Sequence, residues 1–196
     1  APQKSPLQIL EIGTRDTKIT KEILCALEDG RVAYTYADSS KYFLEEARRK
    51  LSEFEGIEFE LFTLDDSLDR QEIMPHCYDV IITVNVLHRN HNAEKAVAKI
   101  AELLKPNGIF LMSELLVKTH LQDITAAFLE NGFADIQDER KERGLVIPDA
   151  SLWKEYFLKA GMGDQLECGE KYGRGIFCAR QGEKVLEYSE EALRGY

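Results

Sequence analysis

The sequence predicts an α/β fold, a three-layer sandwich in which helices cover both faces of a mostly parallel sheet of seven strands. Apolar, β-branched runs alternate with helical patterns from Gln8 to Arg180, which is the order of elements found in parallel α/β sheets. The run Tyr78–Val84 is apolar almost throughout, as expected for a strand buried on both faces at the centre of such a sheet. Two short runs beside Gly173 and Gly175 indicate a closing hairpin, and with it an antiparallel last strand at one edge.

The stretch from Leu7 to Ser40 is the most informative part of this pattern. An apolar run ends at Gly13, a polar turn follows, and a helix with one apolar face leads to a second strand that ends at Asp38. A strand, turn, helix and strand followed by an acid are typical of a doubly wound, Rossmann-like sheet that binds a nucleotide. In such units the turn contacts the polar middle of the ligand, and the acid accepts hydrogen bonds from ribose hydroxyls.

The remaining elements follow in the same alternation. Helices are predicted over Ile19–Leu27 with a stop at Gly30, from Ser40 to about Phe54, over Leu68–Met74, Ala93–Leu104 and Leu121–Leu129 before Gly132, and from Leu152 to Gly161. Strands are predicted over Ile9–Ile12, Val32–Ala37, Ile57–Leu61, Tyr78–Val84, Ile109–Met112, 164–168 and 175–180. Residues 135–149 are polar and charged, so they are expected to form a surface loop.

The charge and the apolar pattern of the chain argue against nucleic-acid binding, a membrane span and a signal peptide. A net charge of −10 argues against nucleic acid, because phosphate binding needs a cationic surface. No apolar run approaches the roughly 18 residues that cross a membrane, and the N-terminus lacks the apolar segment of a signal peptide. The chain starts almost directly on a core strand, which suggests a piece of a longer protein. We expect one domain over residues 1–182, followed by a tail or linker over 183–196.

The four cysteines point to a reduced, cytoplasmic compartment. None of Cys25, Cys77, Cys168 and Cys178 forms a C-x-x-C pair, so the spacing does not predict a metal site. Cys25 and Cys178 lie in apolar elements and are expected to be buried as small hydrophobic side chains.

Five segments carry further information through their order and spacing. They are Ile9–Gly13 (ILEIG), Tyr34–Leu44 (YTYADSSKYFL), Tyr78–Asp79 leading into Asn85–His88 (NVLH), Leu103–Gly108 (LLKPNG) before Glu114, and Leu121–Glu130 leading into Asp138–Arg140. Together these segments resemble class I S-adenosylmethionine-dependent methyltransferases. They are most similar to the carbon-methyltransferase domains of polyketide synthases and nonribosomal peptide synthetases. The resemblance covers about residues 7–182, and it implies neighbouring domains of a megasynthase as partners.

The resemblance also implies where S-adenosylmethionine would bind. Asp38 would hold the ribose, since a carboxylate can accept from both hydroxyls, and Asp65 would lie beside the adenine amino group. The full set of implied cofactor-binding residues is Glu11, Gly13, Asp38, Ser39, Leu64, Asp65 and Asn85. A different interpretation remains open for the two aspartates, because each could instead cap the helix that follows it.

Two further residues are candidates for catalysis. His88 follows the fourth predicted strand and Glu114 follows the fifth, so both lie where parallel strands end and ligands bind. A histidine oriented by a carboxylate is a general base near neutral pH. In the family it resembles, such a pair deprotonates the carbon between two carbonyls of an acyl chain held by an acyl carrier protein. Alternatively, His88 is a polar residue at a helix start and Glu114 a solvated strand end.

The turn after the first strand departs from the family pattern. The usual E-x-G-x-G-x-G becomes EIGTRDT, so Arg15 and Thr17 replace glycines and side chains project towards the ligand. Arg15 would also bring a positive charge towards the sulfonium of the cofactor. Three functions follow as hypotheses: an active methyltransferase, which we prefer, a degenerate domain with a structural role, and an epimerase that uses the base without the cofactor.

Overall fold

The computed structural model describes residues 5–27, 31–71, 73–116, 134–163, 167–171 and 173–182. The expected helix at 121–129, the stops at Gly30 and Gly132, and the tail at 183–196 lie outside these residues. The strands are β1 Leu7–Ile12, β2 Val32–Asp38, β3 Ile57–Leu61, β4 Tyr78–Val84, β5 Leu104–Leu115, β6 Glu167–Lys171 and β7 Arg174–Arg180. The α-helices are α1 Thr17–Ala26, α2 Lys41–Lys50, α3 Ala93–Leu103, α4 Arg140–Arg143 and α5 Ala150–Lys159, and 3₁₀ turns span Leu68–Gln71 and Leu87–Arg89.

The strands form the predicted sheet, in the order β3-β2-β1-β4-β5-β7-β6. The five strands from β3 to β5 pair in parallel, and β7 runs antiparallel to β5 on one side and to β6 on the other. The antiparallel last strand is therefore confirmed, although it lies one place inside the edge, because the first strand of the hairpin takes the outer position.

The strand order reverses at β1, which creates the ligand-binding position of the fold. β1 pairs with β2 through Ile12 and Ala37, and on its other side with β4 through Ile12 and Thr83. The chain therefore leaves β1 in one direction and β4 in the other, and a crevice opens between their carboxyl ends. Gly13 and Asn85 are the first residues beyond these two strands.

Helices pack on both faces of the sheet, as the three-layer prediction requires. On one face α1 and α2 cover Ile9, Tyr34 and Tyr36, with Leu44 of α2 among the buried contacts. On the other face α3 and α5 cover the larger core, which includes Leu10, Ile81, Phe110, Trp153, Tyr156 and Phe157. Burial of these aromatic side chains supplies much of the stabilisation, since removal of one from a core costs about 3–5 kcal/mol. No helix among the described residues is long and apolar enough to cross a bilayer.

Several element boundaries differ from the prediction. α2 ends at Lys50 and not near Phe54, yet Phe54 still packs against the α2 cluster, which explains the longer apolar pattern. The segment after Leu68 makes only one 3₁₀ turn, through Gln71, and the described part of β6 starts at Glu167.

Burial corrects two further expectations. Cys25 is exposed on the outer side of α1, and Cys178 is half-buried on the same strand side as the exposed Ile176, so neither is a buried core residue. The stretch 135–149 is not a surface loop, because Ile136, Arg140 and Val146 within it are buried.

Candidate active site

A cleft of about 180 Å³ opens at the carboxyl ends of β1, β2 and β3. Five of the seven residues assigned to the cofactor line it, namely Gly13, Asp38, Ser39, Leu64 and Asp65. Glu11 and Asn85 are not among the lining residues. The structure therefore brings most of the assigned set to one place, and the role of each residue in binding remains a proposal.

Gly13 cannot be replaced without strain. Its φ angle is +61°, a left-handed conformation that glycine adopts without a steric cost. A Cβ on this residue would stand 2.5 Å from Cγ2 of Val86, well inside van der Waals contact. The Gly13 amide also donates to the carbonyl oxygen of Ala37 at 2.7 Å, which fixes the start of the turn. Backbone and not side chain therefore faces the segment after β4.

Asp38 presents its carboxylate at the end of β2 and is almost fully buried. One oxygen accepts from the Ser40 amide at 2.8 Å, in the turn before α2. Ser40 and not Asp38 is the N-cap residue of that helix, so the alternative interpretation of Asp38 as a helix cap is wrong. The other oxygen lies 3.4 Å from Nε of Arg15, and Asp38 lines the cleft.

Arg15 lies back against β2 and α2. Its backbone has a φ of +54°, and its amide donates to the Tyr36 hydroxyl at 3.2 Å. The guanidinium carbon stands 4.1 Å from the ring centre of Phe43, in cation–π geometry, while Nε contacts Asp38. The positive charge expected near the sulfonium is therefore paired in this structure with the acid assigned to the ribose.

Asp65 is more exposed than Asp38 and has an unexpected neighbour. Its Oδ1 accepts from the His91 amide at 3.3 Å, and His91 Nδ1 lies 3.4 Å from Oδ2. His91 is itself exposed, so this contact with Asp65 lies at the surface. His76 also has a partner, the carbonyl oxygen of Leu104 at 2.9 Å, and His120 lies outside the described residues.

Glu11 lies beneath the turn and is fully buried. One oxygen accepts from Thr20 Oγ1 at 3.0 Å and the other from the Tyr34 hydroxyl at 2.7 Å. Burial raises the pKa of the Glu11 carboxyl, and hydrogen bonds led by that of Tyr34 oppose the shift. These contacts connect β1 with α1 and β2, so Glu11 supports the turn from below.

Asn85 is positioned by the sheet and by a residue of β7. It adopts a φ of +54°, and its backbone amide donates to the carbonyl oxygen of Ser113. Its side-chain oxygen accepts from Nη1 of Arg174 at 3.0 Å. The residue after it, Val86, lines the cleft.

His88 and Glu114 meet at the ends of β4 and β5. Val84 pairs with Ser113 in the parallel register, so the next residues of both strands emerge side by side. His88 Nδ1 lies 2.7 Å from Oε2 of Glu114, which is fully buried, while the histidine side chain keeps 16% exposure. The alternative interpretation of Glu114 as a solvated strand end is therefore wrong.

The second oxygen of Glu114 fixes the turn that carries the histidine. It accepts from the amides of Val86 at 2.9 Å and Leu87 at 2.8 Å. Since Oε1 accepts from these two amides, Oε2 is the oxygen that accepts a hydrogen bond from Nδ1–H of His88. In that tautomer Nε2 carries a free electron pair. This arrangement can remove a proton from a substrate at Nε2.

Two arginines near the site were not predicted from the sequence. Arg89 lines the cleft and donates from Nη2 to the carbonyl oxygen of Gly13 at 3.1 Å. Arg140 lies buried beneath the turn that carries His88. Neither has a periodic signal, since each is one charged residue in a polar stretch, but Asp138–Arg140 is among the segments that carry the family resemblance. Among the described residues no group of three His, Cys, Asp or Glu side chains could hold a metal ion.

Residues 10–110, just over half of the chain, match the methyltransferase domain family. The chain is 38% identical over 158 residues to the compactin nonaketide synthase, polyketide synthase component, of Penicillium citrinum, and 38% identical over 160 residues to the lovastatin nonaketide synthase mokA of Monascus pilosus. Each alignment covers 79% of this chain and about 5% of the relative, so the chain spans a small part of their length.

Solved structures show the same fold. The CurJ carbon methyltransferase superposes with a TM-score of 0.82 at 22% identity, over 93% of this chain and 50% of that one. The CMeT domain of the citrinin polyketide synthase gives a TM-score of 0.78 at 25% identity, over 91% and 47%. The trans-methyltransferase CalH, in complex with SAH, gives 0.78 at 23% identity, over 90% and 52%.

Proposed function

Since this chain belongs to the methyltransferase domains of polyketide synthases, we propose that it methylates a carbon atom of an acyl or ketoacyl chain that a carrier protein presents. The observation that carries the proposal is the contact between His88 and the fully buried Glu114. Neither residue lines the cleft, but Val86 and Arg89 on either side of His88 do. Methylation of carbon needs a base of this kind, because the carbon atom must lose a proton before it can attack a methyl group. The other domains of the megasynthase would supply the substrate.

The residues that line the cleft have the chemical groups that S-adenosylmethionine needs, but the volume of the cleft is small for this cofactor. Asp38 would offer a carboxylate oxygen to the ribose, Asp65 and Leu64 would contact the adenine, and Gly13 would let the backbone approach the ligand; all four residues line the cleft. The cleft volume of about 180 Å³ is below the roughly 300–1,000 Å³ of ordinary ligand pockets. Arg15 lines the cleft and pairs with Asp38, and we expect a rotation of its side chain away from Asp38 to enlarge the site.

The reaction divides between the cofactor and the protein. When bound, S-adenosylmethionine would supply an electrophilic methyl group. His88 would accept the proton from the carbon between two carbonyls at Nε2, and the resulting carbon nucleophile would take up that methyl group. Glu114 would hold the ring in the required tautomer and stabilise the imidazolium that forms.

The test is binding and transfer with defined probes. Calorimetry with S-adenosylmethionine should give a dissociation constant below about 100 μM, which corresponds to roughly 5.5 kcal/mol. Methyl transfer to the acetoacetyl thioester of N-acetylcysteamine should be abolished in His88→Ala, which removes the base. No binding of the cofactor by the parent protein would overturn the proposal.

A second function is favoured by the pairing of Arg15 with Asp38. If that pair excludes the cofactor, the intact base would still remove and return an α-proton, which is the chemistry of an epimerase. Exchange of the α-hydrogen of a chiral 2-methyl-3-ketoacyl thioester in D₂O, without cofactor binding, would support this function. If the protein neither exchanges the α-hydrogen nor binds the cofactor, a structural role remains for the domain.

A further inference from the structure

We propose that Arg140, together with Asp138, is a positioning residue that holds the backbone of the turn carrying His88. This inference rests on the function proposed above, because it assigns a role in aligning the base. Arg140 and Asp138 have 1% and 0% side-chain exposure and belong to the stretch that composition assigns to the surface.

The guanidinium of Arg140 uses all three nitrogens. Nε and Nη2 each donate to Asp138 at 2.8 Å, which is a bidentate pair. Nη1 donates to the carbonyl oxygen of His88 at 2.6 Å and contacts that of Val146 at 3.2 Å. Nη2 also donates to the carbonyl oxygen of Asn90 at 2.8 Å.

These carbonyl groups need a partner because the turn is so short. The 3₁₀ turn Leu87–Arg89 is three residues long, and no helix continues from its end. Its last carbonyls are therefore left without helical partners, and a buried unpaired carbonyl costs roughly 1–3 kcal/mol. One planar guanidinium reaches two of them, at His88 and Asn90, which a lysine ammonium cannot do while also pairing twice with Asp138.

The turn is thus held from both sides. Glu114 accepts from the Val86 and Leu87 amides at its start and orients the His88 ring. Arg140 donates to the carbonyl of the same histidine and to that of Asn90 at its end. An error of 1 Å in a reacting group can cost about 100-fold in rate, so the second support matters for the base as well as for the fold.

Asp138 anchors the arginine and connects it to α3. Its Oδ2 also accepts from the amide of Ala93, the first residue of α3, at 2.6 Å, and its Oδ1 from the amide of Arg140 at 3.0 Å. Burial by itself raises the pKa of Asp138, but the hydrogen bonds and charge of Arg140 outweigh it and lower the pKa. The anchor is therefore ionised at neutral pH.

The experiment compares Arg140→Lys with Arg143→Lys. Arg143 lies on the same short helix, is 38% exposed and pairs only with Glu139 and Glu155 among the contacts described, so it is the matched control. The first readout is hydrogen exchange at the α-carbon of the acetoacetyl thioester of N-acetylcysteamine in D₂O, above the uncatalysed rate. We expect Arg140→Lys to lower this exchange about 10- to 100-fold, while Arg143→Lys leaves it unchanged.

The second readout does not need activity. In NMR spectra the ring N–H of His88 should give a downfield signal from its hydrogen bond to Glu114, identified by its loss in Glu114→Gln. We expect this signal to broaden or disappear in Arg140→Lys at a temperature where the protein remains folded. Should Arg140→Lys fail to fold, Asp138→Asn, which keeps an acceptor for Arg140, takes its place.

The outcomes are distinct. An unchanged signal and an unchanged exchange rate in a folded variant would overturn the positioning role, even if its melting temperature had fallen. If the parent protein exchanges no α-hydrogen, the proposed function fails, whereas the NMR signal still tests whether Arg140 positions His88.

Discussion

At the scale of single residues, the site combines groups that suit a methyl donor with one that opposes it. Asp38 lines the cleft, but one of its oxygens pairs with Arg15 and the other accepts from the Ser40 amide. The pair is partly exposed, with Arg15 at 36%, so its free energy is near the low value of surface ion pairs, up to about 1 kcal/mol. A ligand can therefore displace it at a modest cost in affinity.

We expect the double variant Arg15→Gly, Thr17→Gly to bind S-adenosylmethionine more tightly, by up to about fivefold from the lost ion pair. Glycine also suits the left-handed backbone at residue 15 better than arginine. Calorimetry should be repeated with adenosine. An equal gain for both ligands would place the effect at the ribose acid, and a gain for S-adenosylmethionine alone would place it at the sulfonium. Weaker binding of S-adenosylmethionine would mean that Arg15 pairs with its carboxylate.

A second residue-scale prediction concerns Glu11 and pH. Its pKa is higher in the folded protein than the unperturbed 4.5, so the fold favours the protonated form. Its contribution to stability is therefore fully present below pH 4.5 and is lost as the pH rises through the folded pKa. Glu11→Gln cannot ionise and keeps the shape, so its melting temperature should fall less than that of the parent from pH 4 upward. Parallel curves for the two proteins would contradict this account.

At the scale of elements, the turn between β1 and α1 is shaped by its contact with the segment after β4. A Cβ at Gly13 would stand 2.5 Å from Cγ2 of Val86, so residue 13 cannot gain a side chain while Val86 keeps its own. The cleft between these segments depends on that approach, because both residues line it.

We expect Gly13→Ala to destabilise the protein by roughly 1–3 kcal/mol through backbone strain, with a further cost from the contact with Val86. In the Gly13→Ala background, Val86→Ala should recover the part that comes from the contact, since it removes the methyl group 2.5 Å from the new Cβ. Urea denaturation of the four proteins in this cycle measures the coupling. Simple addition of the two single effects would show that only strain matters.

The elements also show what the sequence could predict. The bounds of β3 and β4 agree with the structure, and the apolar run of β4 ends at Val84, where its burial ends. Phe54 misled the prediction for α2, since an apolar residue beyond a helix can pack beside it without being helical. Arg140 could not be recognised from composition, because its burial depends on carbonyl groups about 50 residues earlier in the chain.

At the scale of the whole molecule, β1 separates two halves of the site. β2 and β3 lie on one side and carry the acids Asp38 and Asp65, while β4 and β5 lie on the other and carry His88 and Glu114. The alternating pattern predicts the parallel sheet, and the order of its strands brings these residues to one edge of the sheet. The side-chain pairing of Arg15 with Asp38 is not predictable in this way, because it depends on one rotamer of an exposed residue.

The large core beneath α5 should determine global stability without affecting ligand binding. Phe157 is fully buried and lies 5.6 Å from the rings of both Phe110 and Phe177. We expect Phe157→Ala to lower the free energy of unfolding by about 3–5 kcal/mol and the neighbouring Leu158→Ala, at an exposed position, by less than about 0.5 kcal/mol. The fluorescence of Trp153, the single tryptophan, reports the transition.

Cofactor affinity should be equal in both variants under conditions where each is folded, because no residue of α5 lines the cleft. A large loss of affinity in Phe157→Ala alone, in the folded state, would show that the core and the site are coupled.

The contact between Arg140 and the carbonyl of His88 has a consequence for the newly made chain. The base and its carboxylate partner are both translated before residue 138, so a growing polypeptide carries them while their second support is still missing. The site would be completed only when the later segment has emerged and docked. A product that ends before residue 138 would then contain His88 and Glu114 without the contact from Arg140 to the His88 carbonyl.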